Sequence, residues 1–143
     1  MKKYLVIGNP INHSLSPELH NHWIKQNRLD AIYEKKKLNN NDLEELIFNV
    51  KKGNINGANV TVPFKNAIIP YLDELSNEAK KTRSVNTVYL KDKKVIGHNT
   101  DIEGFENAIK NIDFNLKNKK IFILGAGGVV PSIIYASIKM GSS

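Results

Sequence analysis

Asn59-Val60-Thr61-Val62-Pro63-Phe64-Lys65 brings an amide, a hydroxyl and an ammonium within seven residues. Such a set can hold several hydroxyl or carboxylate oxygens and can also move a proton. The heptad opens as a strand, with Val60 and Val62 alternating against Asn59 and Thr61. Pro63 stops the ladder, because it has no N–H and a restricted φ. The polar side chains are therefore delivered at a strand end, where they can converge on a cleft. The same heptad also reads as two turn residues and a solvated lysine, so other segments have to decide.

Three of them bear on the choice. Ile11-Asn12-His13-Ser14-Leu15-Ser16-Pro17 leads into a helix. Ser16 reads as its N-cap, with Pro17 suited to the first turn. Ser14 and Ser16 read equally as two hydroxyls at a helix N-terminus, where anions bind. Asp101 lies at a second helix start, in His98-Asn99-Thr100-Asp101-Ile102-Glu103-Gly104-Phe105. It is either a cap or a functional carboxylate. Ile121-Phe122-Ile123-Leu124 reads as a short buried strand, followed by Gly125-Ala126-Gly127-Gly128 and a helix from Val129 to Met140. Strand, glycine turn and helix in this order is the context of a dinucleotide fingerprint. The match is incomplete, since Val130 holds the place of the third small residue, and a ligand-free glycine connection looks the same. His13 and His20 have no Cys, His or carboxylate cluster around them and read as structural, so no metal site is expected.

The elements that must position these groups follow from periodicity. Lys3 to Gly8 is a buried strand, ended at Gly8-Asn9-Pro10. Leu19, Trp23 and Ile24 give a helical stripe, and Ala31 to Leu38 an edge-like strand. Asn41 is expected to cap a helix over Asp42 to Lys52, with Gly53 past its end. Ile55 to Val62 is the strand that delivers the heptad. Ser76 caps a further helix, and residues 84–90 and 94–97 form a hairpin about Asp92-Lys93. A stripe of Phe105, Ala108, Ile109 and Ile112 follows Asp101. Strand followed by helix, repeated, predicts an α/β fold with a mostly parallel sheet.

Composition removes several function classes. With 143 residues, the chain suits one domain or one domain plus part of another. No apolar run approaches the ~20 residues of a membrane span, and the apolar stretch after Met1-Lys2-Lys3 is too short for a signal-peptide core. The absence of cysteine excludes disulfides and suits a cytoplasmic protein. The formal charge of +7 comes from scattered lysines, and Arg28 and Arg83 are the only arginines. Without aromatic residues interleaved among them, these lysines read as a solvated surface and no nucleic-acid partner is expected.

Taken together, Gly8-Asn9-Pro10-Ile11 with His13-Ser14-Leu15-Ser16-Pro17, the heptad 59–65, Val85-Asn86-Thr87, Asn99-Thr100-Asp101 with Gly104-Phe105, and Gly125-Ala126-Gly127-Gly128 resemble the shikimate dehydrogenase family. Five motifs in family order and spacing cover essentially the whole chain. The resemblance implies a substrate domain over residues 1–100. A connecting helix and the first strand and helix of an NADP-binding Rossmann domain would follow over 101–143. It implies reversible reduction of 3-dehydroshikimate to shikimate, a step in chorismate and aromatic amino acid biosynthesis, and is compatible with a homodimer. Ser14 and Ser16 match groups that hold the substrate carboxylate. Asn59, Thr61, Asn86 and Asp101 match groups that bind ring hydroxyls, and Lys65 and Asp101 match the catalytic pair. Gly125, Ala126, Gly127, Gly128 and Val129 match the cofactor turn. A shikimate- or quinate-binding relative with other cofactor use, or a non-catalytic binding module, are the alternative readings.

Arg83 and Ser84 stand where many relatives have Gly-Ala, a change expected to affect packing only. Pro131 falls in the first turn of a helix, where proline is tolerated. The residue that reads the cofactor ribose is expected ~20 residues past the glycines, beyond Ser143. The chain is accordingly expected to be truncated and weakly active or inactive alone. Residues 121–140 are expected to lack packing partners.

Overall fold

A computed structural model describes residues 1–143. Its strands are β1 (Lys2–Gly8), β2 (Ala31–Lys37), β3 (Gly57–Val60), β4 (Glu74–Leu75), β5 (Thr87–Lys91) and β6 (Lys94–His98). Its helices are α1 (Ser16–Gln26), α2 (Leu43–Lys51), α3 (Phe64–Ala67), α4 (Asn77–Thr82), α5 (Asp101–Asn111) and α6 (Val130–Lys139). The strands form one sheet in the order β2-β1-β3-β5-β6-β4. Burial on both faces explains the unbroken apolar run of β1: Leu5 and Ile7 enter the larger core, Val6 the smaller one. Leu43, Leu46, Ile47 and Val50 of α2 close the larger core with Phe64 and Ile68. On the opposite face, Ile24 of α1 packs against Val6, Ile11 and Tyr33.

The sheet is mixed. β1 pairs in parallel with β2 and β3, and β4 with β6, but β5 runs antiparallel to both β3 and β6. The hairpin accounts for the β5–β6 pair: Asp92 (φ +50°) and Lys93 (φ +64°) both adopt the left-handed conformation of a tight two-residue turn. Ser76 caps α4 as expected, its hydroxyl accepting from the Ala79 N–H at 3.2 Å. Two expected caps move. Asn39 and Asp42, not Asn41, form a capping box before α2. Ser16 is the first residue of α1, and its N–H donates to Ser14 Oγ at 3.3 Å, so Ser14 supplies the capping oxygen.

Ile121–Leu124 is not a strand, and Phe122 and Leu124 are each 87% exposed. No other segment of the chain offers this stretch a ladder partner, and a lone strand is not stable. Ile112 of the α5 stripe is likewise exposed, as is Trp23 of α1. Helix α6 is nevertheless docked, contrary to expectation. Its buried side chains are Ser132, Ala136 and Ser137, and Lys139 reaches Glu106 of α5 at 2.8 Å. No helix is long and apolar enough to cross a membrane.

The docking depends on Asn99, which is only 1% exposed. Its Nδ2 donates to the Ser84 carbonyl and to Ser132 Oγ, each at 2.8 Å. Its Oδ1 accepts the N–H groups of Asp101 at 3.0 Å and Ile102 at 3.4 Å, capping α5 from two residues upstream. Asn99→Ala should therefore lower stability by about 1–3 kcal/mol, because buried donors and acceptors are left unpaired. Urea unfolding, read as a midpoint shift at constant slope, measures this.

Candidate active site

The C-terminal ends of β1 and β3 lie side by side, so the loops that follow them share one edge of the sheet. Asn9 N–H donates to the Val62 carbonyl at 2.9 Å, and Thr61 N–H to the Ile7 carbonyl at 3.0 Å. The approach is close enough to require glycine at position 8, since a Cβ there would stand 2.7 Å from the Thr61 methyl. The same close approach holds Ile11, three residues before Ser14, against Gly8 and near Thr61. Lys35 holds the same loop from β2, donating to the Asn12 carbonyl at 2.6 Å. Thr61, Ser14 and Ser16 are all half-buried, and Ser14 Oγ accepts only the Ser16 N–H among protein groups.

Lys65 follows Phe64, whose fully buried ring anchors α3 in the core. From there the Lys65 ammonium donates to Asp101 Oδ2 at 2.6 Å, with side-chain exposures of only 12% and 19% for the pair. Asp101 is not a cap. Asn99 does that work, which leaves both carboxylate oxygens free for side-chain partners. Asn86 Nδ2 donates to Asp101 Oδ1 at 2.9 Å and to Thr100 Oγ1 at 2.8 Å. Asn86 Oδ1 accepts the Thr100 N–H and the Thr87 hydroxyl, both at 3.0 Å. An ammonium that spends one N–H on Asp101 keeps two more donors for a ligand oxygen. The structure thus brings Lys65, Asn86 and Asp101 into direct contact. It places Asn59 one step away, where its Nδ2 donates to the Asn86 carbonyl at 3.4 Å and Thr87 Oγ1 at 3.3 Å.

A cavity of about 430 Å³ is lined jointly by Lys65, Arg83 and Ser84 and by Ala126, Gly127 and Gly128 of the glycine turn. Gly125 has φ +117° and Gly127 has open space where a Cβ would stand, so the backbone can approach a pyrophosphate. Val129 directly precedes α6 and is 38% exposed. The turn fits a dinucleotide phosphate on these grounds. Arg83 and Ser84 do more than adjust packing. Arg83 takes the left-handed conformation (φ +49°) that glycine adopts without strain. The buried Ser84 hydroxyl donates to the Gly128 carbonyl at 2.8 Å, tying the turn to the segment that follows α4.

Sequence reasoning passed over Tyr33, Ser84, Thr87, Asn99, Thr100 and Ser132 as site-forming residues. Thr87, Asn99 and Thr100 stood inside recognised motifs but carried no charge or cap signal of their own. Tyr33 sat in a strand read as an edge, which it is. The His20 ring stacks on Tyr33 at 4.1 Å and 4°. Burial lowers its pKa.

Comparison with known proteins accords with this geometry. The family model for the shikimate dehydrogenase substrate binding domain matches residues 6–88. The shikimate dehydrogenase (NADP(+)) of Pelagibacter ubique is 59% identical over 139 residues, covering 97% of this chain and 52% of that protein. The crystal structure of shikimate dehydrogenase from Aquifex aeolicus superposes with a TM-score of 0.93 at 40% identity, over 100% of this chain and 54% of that one. The shikimate 5-dehydrogenase of Thermus thermophilus, solved with NADP(H) and shikimate, gives 0.90 at 33% identity, over 99% and 54%. The chain spans about half the length of the relatives it matches. By its matched domain, its identity to these relatives and the superposition of its whole length, this chain belongs to the shikimate dehydrogenase family.

Proposed function

We propose that this chain forms the substrate wall and the first cofactor turn of an NADP-dependent shikimate dehydrogenase. The reaction is the reversible reduction of 3-dehydroshikimate to shikimate. The observation that carries the reading is the shielded Lys65–Asp101 pair, held at 2.6 Å and backed by Asn86, with Lys65 lining a cavity that the glycine turn also lines. In this reading residues 1–100 form the substrate domain, and residues 101–143 lead into the cofactor domain.

Ketone reduction adds a hydride to carbon and leaves negative charge on oxygen. Gly125, Ala126, Gly127, Gly128 and Val129 would hold the pyrophosphate of NADPH, which would supply the hydride. The Lys65 Nζ proton goes to the developing alkoxide, and water returns a proton to the amine before the next turnover. Asp101 keeps the ammonium aimed at the cleft and accepts a hydrogen bond from a ring hydroxyl. Ser14 and Ser16 donate to the substrate carboxylate from the neighbouring loop, while Asn59 and Thr61 meet the ring hydroxyls. Asn86 spends both amide donors and both carbonyl lone pairs on protein partners, so it contacts substrate only by exchanging one of them.

Calorimetric titration of the chain with shikimate tests the substrate half of the reading directly; saturable binding is expected, and heats no larger than dilution would refute it. In the active enzyme Lys65→Ala should lower kcat by about 10²–10⁴-fold with a much smaller change in KM, because its charge matters most as the alkoxide forms. Equal kcat for the variant and the parent, with chemistry limiting, would remove Lys65 from proton transfer. Ser14→Ala should weaken shikimate binding by about tenfold or more and leave kcat nearly unchanged, since the carboxylate is bound alike in ground and transition states.

A further inference from the structure

One backbone N–H group allows the Asn86 and Asn59 carboxamides to be oriented by chemistry alone. The Thr100 N–H can only donate, and it points at one end of the Asn86 carboxamide at 3.0 Å. That end must be Oδ1. The other end therefore carries the amide hydrogens and meets Asp101 Oδ1, which can only accept, at 2.9 Å. Thr87 Oγ1 lies 3.0 Å from the same Asn86 Oδ1, so the single Thr87 hydroxyl hydrogen is committed there. The Thr87 oxygen is then left as an acceptor, and the group facing it at 3.3 Å must be Asn59 Nδ2. This turns Asn59 Oδ1 toward the Tyr33 hydroxyl, which donates to it at 2.6 Å.

The result is one directed series. Tyr33 donates to Asn59, Asn59 to Thr87, Thr87 to Asn86, and Asn86 to Asp101, which also receives the Lys65 ammonium. Every link donates toward the carboxylate, the arrangement in which neighbouring hydrogen bonds strengthen one another. Its head is held firmly. The Asn21 carboxamide accepts the Tyr33 N–H at 2.9 Å and donates to the Tyr33 carbonyl at 2.8 Å, and the His20 ring stacks on the phenol. Burial raises the Tyr33 pKa to about 12, so its hydroxyl remains a donor across the neutral range.

We propose that Tyr33 and Thr87 are positioning residues of the shikimate site: together they set the direction of the Asn59 carboxamide, and Thr87 joins the Thr100 N–H in holding the Asn86 carboxamide that backs Asp101 beside Lys65. Neither is assigned a substrate contact. Thr87 is the sole link between the two amides that uses side chains only, so its hydroxyl decides whether the series is continuous. The consequence for binding rests on the proposed function, whereas the orientation of the amides does not.

The test uses Thr87→Val, which keeps the branched shape and removes the hydroxyl, Thr87→Ser, which restores it, and Tyr33→Phe, which keeps the stacked ring. Side-chain amide NMR resonances of Asn59 and Asn86 are recorded without ligand, and shikimate affinity is measured by calorimetry. Thr87→Val should shift both pairs of amide resonances and weaken shikimate binding by about three- to tenfold. Thr87→Ser should return both toward the parent values, and Tyr33→Phe should shift Asn59 more than Asn86. If Thr87→Val does not fold, the contrast of Tyr33→Phe with the parent carries the same decision at the head of the series. Shifted resonances in a protein that binds no shikimate would support the directed series and sink the substrate reading. Unshifted Asn86 resonances in Thr87→Val, or an unshifted Asn59 in Tyr33→Phe, would overturn the inference whatever shikimate does.

Discussion

A single buried carboxamide joins the parts of the chain on which the cleft depends. Asn99 caps α5 with its oxygen and uses its nitrogen on the Ser84 carbonyl and the Ser132 hydroxyl. Those partners belong to three segments far apart in sequence, and each would otherwise bury an unpaired polar group. Capping from position 99 also releases Asp101 from helix duty. Its carboxylate can then face Lys65 and Asn86 instead of the backbone of its own helix.

The Lys65–Asp101 pair is shielded unlike the ion pairs elsewhere on the molecule. Lys3–Glu34 has both side chains nearly half exposed and contributes little. At Lys65–Asp101 the exposure is 12% and 19%, so each charge depends on the other for what water no longer supplies. Removing one partner of a well-buried pair typically costs about 3–5 kcal/mol. A site that keeps an ammonium charged and partly dry must hold its carboxylate firmly, and Asn86 with the Asn99-capped helix start supplies that hold.

Two surfaces meet at the cleft without forming one sheet. The β1 and β3 loops are pressed together at Gly8 and Thr61, with Ile11 in the same contact. The glycine turn reaches the same place from another direction, held by Ser84 at Gly128 and by Ser132 at Asn99. The turn is anchored through its helix and not through its strand, for Ile121–Leu124 has no ladder here.

Much of this was legible in the residue order. The α/β class, the Asp92-Lys93 hairpin, the Ser76 cap and the strand end that presents Lys65 all rest on local periodicity and turn chemistry, which act over a few residues and survive in the sequence. Lys65 and Asp101 were recognisable as a pair only through the family resemblance of the motifs that carry them. What required the tertiary structure was every assignment that depends on which groups meet across long separations. Asn99 and Asp101 look alike as helix-start residues, and only the approach of Ser84 and Ser132 decides that one caps while the other faces the cleft. Ser84 reads as a small packing residue until Gly128 arrives above it. Tyr33 and Thr87 acquire roles only when β2, β3 and β5 lie side by side. Ile121–Leu124 shows the reverse: its apolar pattern favours a strand, but a strand exists only where a neighbour accepts its hydrogen bonds, and that condition is not local.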